Sequence, residues 1–332
     1  MQIRWGILGT GNIARQFATG VRQSKTGVLA AVGSRTSESA IEFANRFGVA
    51  RPHPTYEQLL ADPDVDAIYV SLPNTMHHEW TIKALRAGKH VLCEKPLAVT
   101  VKEAEEMFAV ARETGRVLIE AFMYRCHPQT LAVLQAVRGG AIGKVRYIRT
   151  SFCYRTTKID GNIRFDKSLA GGALMDVGCY CLNFSRLIAG GEPIEAGAMF
   201  ERGPGGVDVF ATGAMRFDGG VSAGFVCAMN TQSDNAALVC GEEGWIRVPI
   251  PWKPSATTSG FVIERQTPPK QDATAIVKPP IERIDVSVSG DVYGIEADAF
   301  SDVLAGTSSP FVTEADSIGN LRLIERLQAD GV

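Results

Sequence analysis

Three short stretches of this 332-residue sequence carry groups suited to chemistry. Gly9-Thr10-Gly11-Asn12-Ile13-Ala14 is a small-residue loop of the G-x-G-x-x-A type. Its first glycine permits a tight turn, its second lets backbone approach a pyrophosphate, and Ala14 in the third position keeps helix and strand close. Free N–H groups at the start of the following helix would then hold the phosphates. Glu94-Lys95-Pro96 sets a cation at the end of an apolar run, and ligands of an open parallel sheet lie outside the carboxyl ends of its strands. Taken alone, a lysine in such a place is more often a solvated surface residue. Asp176 and Tyr180 fall four positions apart in a helical stretch, where a carboxylate and a phenol one turn apart can share a substrate hydroxyl. The plainer reading of that pair is a half-buried tyrosine bonded to an aspartate on a routine helix.

The end of the second apolar run, Gly33-Ser34-Arg35-Thr36, bears on the choice of dinucleotide. An acid there would bond the adenosine ribose 2′-hydroxyl. None is present; Ser34 can donate a hydrogen bond, and Arg35 can pair with a 2′-phosphate while stacking on adenine. NADP is therefore favoured over NAD. The alternative is a solvated Arg35, with Glu38 as ribose ligand.

The elements that must position these groups are legible in outline. Through residue 122, apolar β-branched runs (Trp5–Gly9, Val28–Gly33, Ala67–Leu72, His90–Glu94 and Val117–Phe122) alternate with helical stretches near Ile13–Ser24, Glu38–Phe47, Met76–Arg86 and Val101–Thr114. That alternation predicts a parallel, doubly wound sheet. Thr100 followed by Glu103 predicts a capping box. Beyond Arg125 the texture changes: a helix over Gln129–Arg138, then long runs at Val145–Tyr154, Glu195–Phe200, Ala237–Val248, Phe261–Arg265 and Ile281–Val286. Val209–Phe217 and Val221–Met229 alternate about Asp218-Gly219-Gly220, a hairpin pattern. The expected fold is an α/β domain over 1–124, then an α+β domain over 125–332 with a large, mainly antiparallel open sheet, one face covered by helices. A last helix, 314–330, is expected to pack back on the first domain. Pro249–Pro254 and Thr267–Pro280 are Pro-rich loops without readable pattern. Near Gly172 a helix begins whose apolar stripe is Leu174, Val177, Cys181, Phe184 and Ile188, with Asp176, Tyr180 and Asn183 on another face. Gly178 in mid-helix costs roughly 1 kcal/mol relative to alanine, which suggests a close approach there.

Composition narrows the function classes. A net charge of −2 with mixed signs, 45% apolar and 21% charged residues describe an ordinary globular chain with no footprint for nucleic acid or anionic membrane. Seven scattered cysteines without a C-x-x-C pair support neither a disulfide framework nor zinc. No apolar run is long enough for a span, and the first strand leaves no room for a leader, so a cytoplasmic location is expected. Tyr154-Arg155-Thr156-Thr157-Lys158 spells Y-x-x-x-K, a pair that short-chain dehydrogenases use on one helix face, but it follows a strand-like run. His77 and His78 are adjacent and lack metal-ligand spacing.

Taken together, the loop at 9–14, Leu72-Pro73-Asn74-Thr75-Met76-His77, Glu94-Lys95-Pro96 and Gly171-Gly172-Ala173-Leu174-Met175-Asp176-Val177-Gly178-Cys179-Tyr180 resemble the glucose-fructose oxidoreductase/inositol dehydrogenase/rhizopine-catabolism (Gfo/Idh/MocA) family in order and spacing. The resemblance implies a Rossmann domain, then a substrate-binding α+β domain whose sheet often forms a homodimer or homotetramer. It also implies a Lys95-Pro96 bond that is commonly cis. Catalytic roles would fall to Lys95, Tyr180 and Asp176. Cofactor contacts would come from Gly9, Thr10, Gly11, Asn12, Ile13, Ser34, Arg35, Leu72, Asn74, His77, Glu94 and Lys95. His77 would line the nicotinamide side, or else be a helix-surface residue. Tyr180 stands where the inositol branch usually has histidine, which favours an aldose or related diol over a cyclitol. The expected activity is hydride transfer between NADP and a sugar or polyol carbon, most simply C1 of an aldose. Tyr180 would take the hydroxyl proton, Lys95 would bond the same oxygen, and no metal would be needed. Trans-dihydrodiol or cyclitol oxidation, redox-assisted glycoside cleavage, and non-catalytic NADP binding remain as alternatives.

Overall fold

Strand β1 (Ile3–Leu8) is buried along almost its whole length, so it requires partners on both edges and layers on both faces. The computed structural model describes residues 2–254, 259–265 and 281–331. In it β1 lies inside a six-stranded parallel sheet, built with β2 (Gly27–Gly33), β3 (Arg51–His53), β4 (Ala67–Val70), β5 (His90–Glu94) and β6 (Leu118–Ala121) in the order β3-β2-β1-β4-β5-β6. The order reverses at β1, the switch point beside which open α/β sheets take ligands. The crossovers are α1 (Asn12–Val21), α2 (Ser37–Phe47), α3 (Tyr56–Leu60), α4 (His77–Arg86) and α5 (Val101–Thr114). Threonine side chains cap three of these helices: Thr36 accepts from Ser39 N, Thr55 from Gln58 N, and Thr100 forms the expected capping box with Glu103. Strand β3 and helix α3 have no counterpart in the sequence reading. Arg-Pro-His is too short and polar to register as a strand, and its proline is tolerated because β3 is an edge.

Among the described residues the second sheet has eight strands: β7 (Val145–Cys153), β8 (Pro193–Arg202), β9 (Asp208–Phe217), β10 (Ser222–Ala228), β11 (Ala237–Gly241), β12 (Gly244–Val248), β13 (Ser259–Arg265) and β14 (Ile281–Val286). Their order is β14-β13-β12-β11-β7-β10-β9-β8, antiparallel throughout except for the parallel β7–β10 pair. Helices α6 (Pro128–Arg138) and α7 (Cys179–Ala189) pack on it. The run 237–248, read from sequence as one strand, is two. Gly241 and Gly244 bracket a turn at Glu242-Glu243, where a Cβ on either glycine would collide with a neighbouring carbonyl. The Thr267–Pro280 loop lies outside the described residues.

By compactness the chain forms two units. One comprises Met1–Cys126, Ser168–Ala170 and Ser289–Arg322, the other His127–Lys167, Gly171–Val288 and Leu323–Val332. The first unit thus takes in α8 (Val292–Leu304) and the first half of α9 (Glu314–Asp330). Helix α8 crosses α1 at a glycine contact: a Cβ on Gly20 would lie 2.7 Å from Gly294 N, and one on Gly294 2.6 Å from Gly20 O. Asp298 fastens the same helix by accepting from Ser24 Oγ at 2.6 Å, Thr26 Oγ1 at 2.6 Å and the Lys25 and Thr26 amides. Helix α9 is joined to this unit through Arg112–Glu314 and Arg125–Asp316 ion pairs. No helix among the described residues is long and apolar enough to cross a membrane.

Candidate active site

The glycine loop follows β1 directly. Gly9 has φ +98°, a conformation that costs other residues a steric clash. Gly11 begins α1 with no side-chain cap and open space where a Cβ would stand, and the first helical turn carries no acid. Ala14 is buried against the sheet. Accessible backbone N–H groups, a small-residue approach and a favourable helix dipole together fit an anionic pyrophosphate. At the end of β2, Ser34 is buried and Arg35 exposed, with no carboxylate among residues 33–36.

Lys95 stands immediately after β5, and the Lys95-Pro96 peptide is cis. Buried side chains hold the backbone on both sides of it. Lys95 N donates to Glu94 Oε2 at 3.2 Å, Leu97 N donates to Glu120 Oε1 at 2.9 Å, and His77 Nδ1 lies 2.9 Å from the Pro96 carbonyl. His77 Nε2 lies 2.8 Å from the Leu72 carbonyl, so one ring ties the end of β4 to the lysine segment. The ring is 1% exposed, which removes the helix-surface reading. Burial pushes its pKa down, and the backbone hydrogen bonds at its two nitrogens oppose that fall. Glu94 in turn accepts from the Tyr69 hydroxyl, whose ring stacks on Phe17 with centroids 3.7 Å apart. Asn74 Nδ2 donates to the Ala170 carbonyl at 2.9 Å, tying the Pro73-Asn74 turn to the residue just before the glycine pair.

The second unit builds its own constellation around Gly171-Gly172. A Cβ on Gly171 would collide with the Arg164 carbonyl, and one on Gly172 (φ +124°) with Asp208 Oδ1. Asp208, at the start of β9, accepts from Leu174 N at 2.7 Å and so supplies the cap that the helix entry lacks locally. Its pKa is raised by burial, and the Leu174 amide opposes that rise. The chain then makes a wide π turn over Leu174–Gly178 before continuing as α7. The stretch is therefore not a regular α-helix throughout: Asp176 is half-buried, and Tyr180 and Asn183 are buried. The close approach at Gly178 is real, but its source is the core: a Cβ there would lie 2.8 Å from Cys227 Sγ of β10.

Asp176 is already engaged. Its Oδ2 accepts from Tyr154 Oη at 2.7 Å and from Arg164 Nε at 2.8 Å. Burial, with the Asp176 carboxylate beside it, pushes the Tyr154 phenol well above its ordinary pKa, so it remains a donor. Tyr154 is the tyrosine of the Y-x-x-x-K decoy. It leaves β7 as extended chain, its N–H bonded to the Ala228 carbonyl. The decoy's helix is thus absent, while the tyrosine itself belongs to the site. Tyr180 packs edge-on against Phe152 (5.4 Å) and Trp252 (6.0 Å), and Trp252 Nε1 donates to the Ser151 carbonyl at 2.8 Å. Sequence reasoning missed Asp208 and Glu120, whose partners are remote in the chain and leave no local pattern. No group of three or more metal-ligating side chains occurs among the described residues.

A parallel sheet with a phosphate loop at its switch point, followed by a large open sheet, defines an NAD(P)-dependent oxidoreductase of two-domain type. The model for the oxidoreductase family with NAD-binding Rossmann fold matches residues 3–122, and that for the GFO/IDH/MocA C-terminal domain matches residues 130–247. The chain belongs to the Gfo/Idh/MocA oxidoreductase family. It is 35% identical over 260 residues to trans-1,2-dihydrobenzene-1,2-diol dehydrogenase of Bos taurus, covering 77% of each chain. It is 30% identical over 323 residues to D-xylose 1-dehydrogenase (NADP(+)) 2 of Haloferax volcanii, covering 97% of this chain and 95% of the other. A crystal structure of a 3-ketoreductase from Actinomadura kijaniata, in complex with NADP and TDP-benzene, superposes with a TM-score of 0.88 at 31% identity, covering 100% of this chain and 98% of that one.

Proposed function

We propose that this chain is an NADP-dependent dehydrogenase acting on a sugar or polyol carbon, with C1 of an aldose as the first-choice position. The observation that carries the reading is the lysine segment: a cation beyond β5 whose flanking backbone is held by Glu94, Glu120 and His77. Such a preorganised donor suits an oxygen on which negative charge develops. Bound NADP supplies the hydride acceptor or donor, and Gly9, Thr10, Gly11, Asn12 and Ile13 would hold its pyrophosphate. Ser34 and Arg35 would take the 2′-phosphate, and Leu72, Asn74 and His77 would shape the neighbouring edge.

In this reading Tyr180 Oη receives the proton of the reacting hydroxyl, and Lys95 Nζ bonds the same oxygen. Tyr154 and Arg164 both donate to Asp176, and the carboxylate so held would orient further substrate hydroxyls. Relatives named for D-xylose and NADP support the aldose and the cofactor choice. The relative named for a trans-dihydrodiol supports a second reading, oxidation of a cyclic vicinal diol. Incubation with NADP and a panel of aldoses, cyclitols and aromatic diols, followed by absorbance of the reduced cofactor, tests both. Turnover of aldoses is expected. Turnover of diols alone would replace the first reading with the second. Inertness toward the whole panel, with no internal cycling of bound cofactor, would remove both.

A further inference from the structure

Glu296, in the second turn of α8, is 0% exposed, and neither of its carboxyl oxygens has a hydrogen-bond partner among the described residues. Packing alone has no use for a carboxyl here, since a leucine would fill the place without the cost of removing a polar group from water. Four other titratable groups among the described residues stand near it. They are Tyr69 from β4, Glu94 from β5, Tyr293 one turn earlier on α8, and Cys126 from the segment after β6. The two glutamates are unequally served. Glu94 accepts from the Tyr69 hydroxyl and from Lys95 N, which stabilise its charge, whereas Glu296 has neither kind of donor. Two carboxylates in one apolar region do not both ionise readily, and the proton goes to the one with fewer donors. Burial, and then the charge of Glu94, raise the Glu296 pKa well above the usual glutamate range.

We propose that Glu296 is a positioning residue for the lysine segment, a carboxyl kept neutral behind Glu94 so that Glu94 can carry the charge that holds the Lys95 backbone. Loss of its proton at alkaline pH sets two carboxylates against each other. Glu94 yields, and the Lys95 segment loosens with it. The kinetic part rests on the reading of Lys95 as catalytic; the protonation part does not.

The test uses the full-length protein, wild type and Glu296→Gln, with circular dichroism to confirm folding. Infrared spectra at neutral pH should show the carbonyl stretch of a protonated carboxylic acid that Glu296→Gln removes. That band should vanish on titration to alkaline pH. NADPH binding, read by cofactor fluorescence, should be within about twofold of wild type in the variant at neutral pH. In wild type, binding should weaken over the pH range in which the band disappears, and in the variant that weakening should move up by about one pH unit or more. With a turned-over aldose, the alkaline limb of kcat should shift likewise while KM for the aldose stays put. Glu296→Leu, should the glutamine variant fold poorly, is expected to lose the same alkaline sensitivity. Absence of the band at neutral pH, or an unchanged pH dependence in a folded variant, would overturn the proposal. The spectra and the binding curve need no substrate, so a chain that oxidises no aldose would sink the functional reading and leave this one decided separately.

Discussion

The surroundings of Lys95 and of Asp176 solve the same problem by different means. Around Lys95, the bonds run from buried side chains to backbone: Glu94 to Lys95 N, Glu120 to Leu97 N, His77 to the Pro96 carbonyl. Around Asp176, they run from side chain to side chain, through Tyr154 and an Arg164 that is nearly half-exposed. The first arrangement fixes where the main chain goes on both sides of the lysine. The second fixes a charge and its orientation on flexible arms. On this comparison the lysine side should govern the chemical step and cofactor use, and the aspartate side should govern which hydroxyl pattern is accepted.

Four expected outcomes would break or sharpen that contrast. The largest is Lys95→Met, which should lower kcat by about 10²–10³-fold, the scale of a lost preorganised donor at a developing oxyanion, while NADPH binding by fluorescence weakens far less. Full activity in this variant would remove the mechanism. Next, Arg35→Asp should raise KM for NADP by roughly 10–100-fold, as for a lost charge-assisted bond, with much less effect for NAD and none on the aldose KM. Equal effects on both dinucleotides would end the 2′-phosphate assignment. Tyr154→Phe should be the mirror image, costing about 1 kcal/mol, or roughly fivefold in kcat/KM for the sugar, with cofactor binding intact. A change in cofactor affinity instead would erase the division between the two regions.

The fourth outcome concerns stability. A carboxyl whose folded pKa is raised favours the fold fully below its unfolded pKa, and that contribution is lost as pH rises toward the folded value. Wild type should therefore lose Tm progressively above the usual glutamate range on account of Glu296. The Tm advantage of Glu296→Gln should grow between acidic and alkaline pH in thermal unfolding. A pH-independent difference would mean that the group is not held neutral.

The legible features were those with local causes. Strand His90–Glu94, helix Val101–Thr114 and its capping box read directly from consecutive residues, and the structure reproduces them to the residue. Strand boundaries elsewhere slipped by a few positions where propensity fades gradually. What stayed hidden depends on partners far along the chain. Asp208 caps a helix that starts 34 positions earlier, Glu120 holds an amide 23 positions back, and Glu296 reaches the first unit only because α8 returns to it. Tyr154 shows the same limit at shorter range. The sequence carries its strand one residue too far, since β7 ends at Cys153, and nothing nearby announces that its hydroxyl belongs to Asp176.

The wide turn at Leu174–Gly178 has a consequence for anyone who edits this chain. A π turn holds one residue more than the α-helix would, and an α-helix rotates about 100° per residue. Removing a single residue between 176 and 178 would let the turn relax into ordinary helix and shift Asp176 around the helix axis relative to Tyr180. Libraries that vary residue identity in this stretch can preserve the site. Those that vary its length would dismantle it while leaving the helix intact and the fold outwardly unchanged.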